Sequence, residues 1–243
     1  MKKKLTNRRS VLARCGIIVG LALAVLVLAI PAGLAAGPNP NPRILPPGST
    51  PHGMTYGEWS ARWWQWALSL PVDQNPFFDE NGGCSNGANG QLGPVWFLTG
   101  VINVSGTATR DCTVPAGKAL FFPIINVECS TLEAPPFYGG NEAELRACAK
   151  GFHFGNVFAE IDGVPVQDLD RYLVDSPLFT FTVPPNNVLG VGPGTGQSVS
   201  NGYYLMLAPL SVGKHIIRFG GTFTDFNFSL DITYHITVAP RRP

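Results

Sequence analysis

The sequence predicts a mainly β protein: a β-sandwich, jelly-roll or immunoglobulin-like, with a tryptophan-rich helix near its start and one short helix further on. Three observations predict it. Eight or so short runs of β-branched and aromatic residues follow Pro94, separated by Gly/Pro turns. The last run, Phe228 to Val238, alternates Ile232, Tyr234, Ile236 and Val238 with Asp231, Thr233, His235 and Thr237, so one face is buried and one is wet. Four of the five tryptophans fall between Trp59 and Trp66 at helical spacing.

Residues 1–36 read as a signal peptide and leave the fold argument. Lys2, Lys3, Lys4, Arg8, Arg9 and Arg14 make a basic start, Gly16 to Ile30 is an unbroken apolar run, and small residues follow Pro31. Arg8-Arg9 admits twin-arginine export beside the general secretory route. The competing reading is an uncleaved anchor, since Gly16 to Gly37 is uncharged and just long enough to span a bilayer. Six of the 17 basic and none of the 16 acidic residues lie in this segment, so the remainder carries a net charge of −5. A mildly acidic chain without a basic cluster excludes nucleic acid as the expected partner. Residues 37–52, with six prolines from Gly37 to Pro51, predict an extended linker. Residues 53–243 suffice for one domain.

The Trp-rich helix spans 56–70. Thr55 and Glu58 make a capping box, Met54 and Trp59 hold the staple positions, and Pro71 forces the stop. Trp59, Trp63, Trp66 and Leu70 share one face, which is the expected core face. Trp64 lies about 100° off that stripe. If any tryptophan of the cluster is exposed it is this one, and it is the candidate ligand-binding residue of an aromatic platform; the plain reading is a core helix docked on a sheet. The loop after the helix, Val72 to Gly93, is rich in Asn, Gly and acids. Asp73 and Asp79 are candidate calcium ligands there, although the EF-hand order is absent and an ordinary loop is the simpler reading.

Beyond Pro94, Val95 to Val104 and Ala119 to Asn126 read as strands joined through turn residues Pro115 to Gly117. Pro123 implies an edge strand or a bulge in the second run. Asp162-Gly163 fits a type I′ hairpin turn. Leu178 to Val183, Tyr203 to Ala208 and Lys214 to Phe219 complete the set. Asn141, Glu144 and Gly151 bracket a helix from Glu142 to Lys150. Cys84, Cys112, Cys129 and Cys148 suggest two disulfides with three possible connectivities. Cys84–Cys112 with Cys129–Cys148 is favoured because each closes a short loop. No C-x-x-C pair supports zinc.

Motifs for chemistry are sparse. Ser211-x-x-Lys214 matches a penicillin-recognising pattern, but Gly213 places it in a turn rather than a helix. Gly190 to Gly196 is glycine-rich without the rest of a phosphate-binding fingerprint, and reads as a flexible connection. The four histidines are scattered. Glu128 and Glu133 bracket Cys129 and are the candidate catalytic pair of a carboxylate-dependent, glycosidase-like hydrolase; the plain reading is two ordinary loop acids.

Tyr56 to Trp66 and Cys112 to Cys129, with a final strand pair around Tyr203 to Gly221, resemble a group of uncharacterised bacterial exported proteins. The resemblance implies bacterial export and a β-rich fold over most of the chain after residue 36. No activity is attached to that group, so it transfers no site residue. The expected function is that of an exported, periplasmic or extracellular, non-catalytic binding or envelope-associated protein. A carbohydrate is the ligand its aromatic content suggests. An exported hydrolase is the alternative. No cofactor is implied, and the only membrane contact implied is through an uncleaved signal segment.

Overall fold

The structure is a computed structural model that describes residues 41, 43–79, 81–102 and 105–240. The signal-peptide and anchor readings lie outside the described residues. Helix α1 (Tyr56–Ser69) is followed by strands β1 (Val95–Phe97), β2 (Gly106–Pro115) and β3 (Ala119–Ser130). Helix α2 (Glu142–Lys150) comes next. Then come β4 (Phe154–Ile161), β5 (Val164–Pro165), β6 (Leu173–Asp175), β7 (Phe179–Val183), β8 (Gly194–Leu207), β9 (Gly213–Phe223) and β10 (Phe228–Ala239). The strands form two sheets. One runs β1-β3-β8-β6, with β7 also paired to β8, and the other runs β2-β10-β9-β4-β5. They stack as a sandwich, and Phe122 of the first meets Phe219 of the second with ring centroids 4.8 Å apart. Both helices pack against β3 and β8. With a sheet on one face and helices on the other, β3 is buried along almost its whole length, as expected of a doubly covered strand.

Helix α1 begins at the expected cap. Thr55 accepts from the Glu58 backbone N–H while the Thr55 N–H donates to the Glu58 carboxylate, and Leu70 leaves the helix in an extended conformation before Pro71. All of its tryptophans are buried, and each indole N–H finds an acceptor. Trp59 donates to the Pro51 carbonyl, Trp63 to Leu98, Trp66 to Asn89, and Trp64 to the Tyr204 hydroxyl. A buried indole needs that partner. Helix α2 spans the predicted residues, capped by Asn141. The disulfides are Cys84–Cys112 and Cys129–Cys148, and the second ties α2 to β3. The Asp162-Gly163 turn has φ of 52° and 80°, the two left-handed residues a type I′ turn requires.

Three features differ from the sequence reading. The proline-rich segment read as a spacer is, from Asn41 onward, part of the packed domain. Ile44 is buried, the Leu45 N–H donates to the Met206 carbonyl, and the Ala208 N–H donates to the Arg43 carbonyl. Main-chain pairing to the end of β8 offsets the cost of holding that stretch. The run read as a strand from Val95 to Val104 pairs only as far as Phe97. Pro123, where the sequence allowed an edge or a bulge, sits at a bulge in β3, with the register to β8 shifting between Pro123 and Ile125. The last glycines of the Gly190–Gly196 run open β8 and pair with β7 instead of forming a flexible connection.

Strands β2 and β6 were not predicted. In β2 the buried face holds Ala108, Arg110, Cys112 and Val114, so a fully buried arginine interrupts the apolar alternation. Its guanidinium donates to the Thr99 and Gly100 carbonyls, the Thr99 hydroxyl, the Tyr234 hydroxyl and the Phe77 carbonyl. Two segments outside the sheets, at Phe77 and at Thr99–Gly100, and β10 are thereby fixed around one planar donor group.

Candidate functional site: an apolar cavity with a carboxyl pair

Strand β1 pairs only with Ala119 to Phe121 of β3. Further along, a cavity of about 270 Å³ is lined by six consecutive β3 residues, Pro123 to Glu128. Consecutive residues point to opposite faces of a strand, so a lining that takes both faces places the cavity along the strand's edge. The other walls come from Trp63 and Trp64 of α1, residues 100–102, and the β9–β10 hairpin with Phe223, Phe226, Phe228 and Leu230. Phe137 closes the wall beside Glu133, and its ring lies 6.2 Å from that of Phe226. Most of this lining is hydrocarbon.

The polar part is built from the pleat. Asn126, Glu128 and Ser130 alternate along one face of β3, opposite Ser198, Ser200 and Tyr204 of β8. Gly202 lies between them, because a Cβ there would stand 2.5 Å from the Asn126 Cβ. Asn126 donates to the Tyr204 hydroxyl at 2.9 Å, and the Trp64 indole donates to the same oxygen at 3.1 Å. Burial pushes the Tyr204 phenol up to about 12, so it stays neutral and serves as a fixed hub. The Ser198 hydroxyl donates to the Glu128 carboxyl and the Ser130 hydroxyl to Glu133 at 2.8 Å.

Glu128 and Glu133 themselves face each other within hydrogen-bonding reach. Glu128 is buried and Glu133 half-buried. Burial pushes the Glu128 carboxyl well above the ordinary carboxylate range, and the Glu133 charge adds to it. Burial also raises Glu133. Two like charges at such range disfavour double ionisation, so the pair holds a shared proton more readily than two free acids would. The reading of these residues as ordinary loop acids is therefore corrected. The last residues of β3 bring Glu128 inside, and the Ser130–Glu133 turn folds the second acid back onto it.

Trp64 is not exposed. It is buried and hydrogen-bonded, and it contributes to the cavity wall rather than to a surface platform. Trp63 and Trp64 meet edge to face at 4.9 Å, so a residue off the main stripe still packs into the core. The calcium reading of the 72–93 loop is also corrected. Asp73 is exposed, whereas Asp79 is buried and accepts from the Ser85 hydroxyl and the Asn86 N–H, pinning the loop that carries Cys84. Among the described residues no three His, Cys, Asp or Glu side chains gather as a metal site. Three histidines pair separately with aspartates, His153 with Asp225, His215 with Asp162 and His235 with Asp111, and they do not converge. Ser211 offers its carbonyl to His215 and makes no contact with Lys214 of the kind the Ser-x-x-Lys pattern needs.

Sequence reasoning named Glu128, Glu133 and Trp64 but missed Asn126, Ser198, Phe137 and Phe226. The readable signal was a polar residue at every second position inside an otherwise apolar β3 run.

No family model matches the chain, and no curated protein matches it. Among solved structures it is similar to PbICP-C in complex with falcipain-2, with 14% identity over 60% of this chain and all of that one, and a TM-score of 0.26. It is also similar to amebosin, with 10% identity over 60% of this chain and all of that one, and a TM-score of 0.22. Likenesses this slight carry no argument about fold or function.

Proposed function

We propose that the protein is an exported, non-catalytic binding protein that takes a small, mainly apolar ligand into the cavity beside β3. One observation supports this above others: a cavity of about 270 Å³ walled by Phe, Ile, Val and Leu side chains, with one polar corner at Glu128 and Glu133. A concave apolar site with a few placed polar groups is the usual form of a small-molecule pocket. The glycan reading drew on exposed tryptophan, and all five tryptophans are buried, so the ligand proposal moves from a sugar to an apolar molecule.

The hydrolase alternative has the two acids but not their geometry. Glycosidase carboxylates stand roughly 5–9.5 Å apart to flank a sugar bond or a water, and a pair within hydrogen-bonding reach is closer than that. Export is supported by the two disulfides, which fit an oxidising environment, and by the basic–apolar leader of the sequence. Among the described residues no helix is long and apolar enough to cross a membrane.

Titration calorimetry of the oxidised protein with ethylbenzene tests the binding reading. Saturable, one-site binding that is abolished by Val101→Trp, which fills the cavity from residues 100–102, is the expected result. Absence of saturable binding by a folded wild-type protein contradicts it.

A further inference from the structure

Resting on that binding reading, we propose that the ligand is a small arylalkylamine: one aromatic ring on a short chain that ends in an ammonium group. The ring sits among the phenylalanines and the ammonium lies at Glu128 and Glu133. Three independent features argue for it.

Size comes first. An apolar protein cavity of about 150 Å³ holds a benzene molecule. The volume here, about 270 Å³, accommodates one ring with a short arm. The lining agrees, since Phe223, Phe226 and Phe228 lie on the hairpin side, while Glu128 lies toward the end of β3 and Glu133 in the turn after it.

Charge is second and decides the head group. Among the described residues neither Glu128 nor Glu133 forms an ion pair with Lys, Arg or His. The groups that meet them are uncharged: the Ser198 hydroxyl on Glu128, the Ser130 hydroxyl on Glu133, and the neutral Tyr204 phenol nearby. A carboxyl pair holding one proton still carries one negative charge, and a buried carboxylate without a cation is costly. An ammonium brings the missing charge and three N–H donors for acceptor oxygens. An alcohol brings one donor and no charge. A carboxylate brings repulsion.

Aromatic lining is third. The wall carries Phe137, Phe223, Phe226 and Phe228, and aromatic rings draw cations and not anions to their faces.

The pH dependence follows with a definite sign. Burial raises both carboxyls, so the free pair holds its protons above the ordinary carboxylate range. A cation binds the ionised form better, so amine binding strengthens as pH rises out of the acid range and is accompanied by proton release. A neutral ligand shows no such gain.

The test is calorimetry on the oxidised protein with 2-phenylethylamine, 2-phenylethanol and 3-phenylpropanoate, which share a ring and differ in the head. The amine is expected to bind at least about tenfold more tightly than the alcohol, since a hydrogen bond to a charged group contributes about 1.5–3 kcal/mol and about 1.4 kcal/mol is tenfold. The propanoate is expected to bind more weakly than either. Glu133→Gln, at the half-buried member of the pair, is expected to remove the amine's advantage over the alcohol. If the alcohol or the propanoate binds as tightly as the amine, the amine assignment is overturned and the pocket reading stands. If none of the three binds, both fall. An amine preference that survives unchanged in a folded Glu133→Gln protein also overturns the assignment, because the discrimination would then lie elsewhere.

Discussion

Glu128 shows how one residue links folding to the site. Its value in the folded chain is raised by burial and by Glu133, so above the ordinary carboxylate range the folded state holds more protons than the unfolded chain does. Stability contributed in acid is then lost as pH rises through that raised value. Glu128→Gln cannot ionise, so the variant should gain melting temperature relative to wild type as pH climbs, with the two converging in acid. Calorimetric melting of both proteins across a pH series checks this, and a wild-type curve that instead gains on the variant with rising pH contradicts it. Tyr234 is the second residue to test. Its hydroxyl accepts from Arg110 and from the Thr99 N–H and donates to the Thr99 carbonyl. Tyr234→Phe leaves buried partners unsatisfied, which costs about 1–3 kcal/mol, measurable by urea unfolding. The sequence showed where Tyr234 lies on its strand, whereas it ended the β3 strand at Asn126, short of Glu128. It did not show their partners, because Glu128 meets Glu133 through a turn and Arg110 meets Tyr234 across 124 residues.

Local signals decide how far each element was legible. Helices α1 and α2 were readable to the residue or nearly so because their caps are local: Thr55 with Glu58, and Asn141 with Glu144. Thr55→Ala removes the side-chain half of the first box and should cost about 1 kcal/mol, seen as a lower denaturation midpoint with an unchanged slope. Strand β2 was missed because Arg110 occupies a buried position that only tertiary carbonyls make tolerable. The bulge at Pro123 was readable as a choice between edge and bulge, and the register shift to β8 shows the bulge. Trp64 was singled out as the tryptophan exposed if any were, because helical angle alone ignores a second packing surface, here Tyr204 and Trp63. One close strand contact is at Gly202, where a Cβ would press on Asn126 at 2.5 Å. Gly202→Ala should therefore destabilise by about 1–3 kcal/mol through overpacking, and it should disturb the Asn126–Tyr204 hydrogen bond in the same step.

At the scale of the whole molecule, two sheets, two covering helices and two disulfides hold the cavity open. Cys84–Cys112 spans 28 residues and anchors the loop after α1 to β2, while Cys129–Cys148 spans 19 and anchors α2 beside the acid pair. Each cross-link contributes about 3 kcal/mol through the unfolded chain, so reduction should lower the melting temperature. Replacing Cys129 and Cys148 together should weaken ligand binding more than replacing Cys84 and Cys112, because the first bridge borders Glu128. Fold class and disulfide pairing could be read from composition and spacing. The cavity could not, because it arises where β1 stops short along β3 and a hairpin from the other sheet comes across the gap.

The central claim is that this gap is a binding site, and an NMR titration of the isotope-labelled oxidised protein with ethylbenzene tests it most directly. The account predicts saturable shifts at the methyl groups of Ile124, Ile125, Val127 and Leu230 and at the indole N–H signals of Trp63 and Trp64, with β5 unmoved. Shifts confined to exposed apolar residues such as Leu92 and Val212, or no saturable shift at the cavity walls, would contradict it.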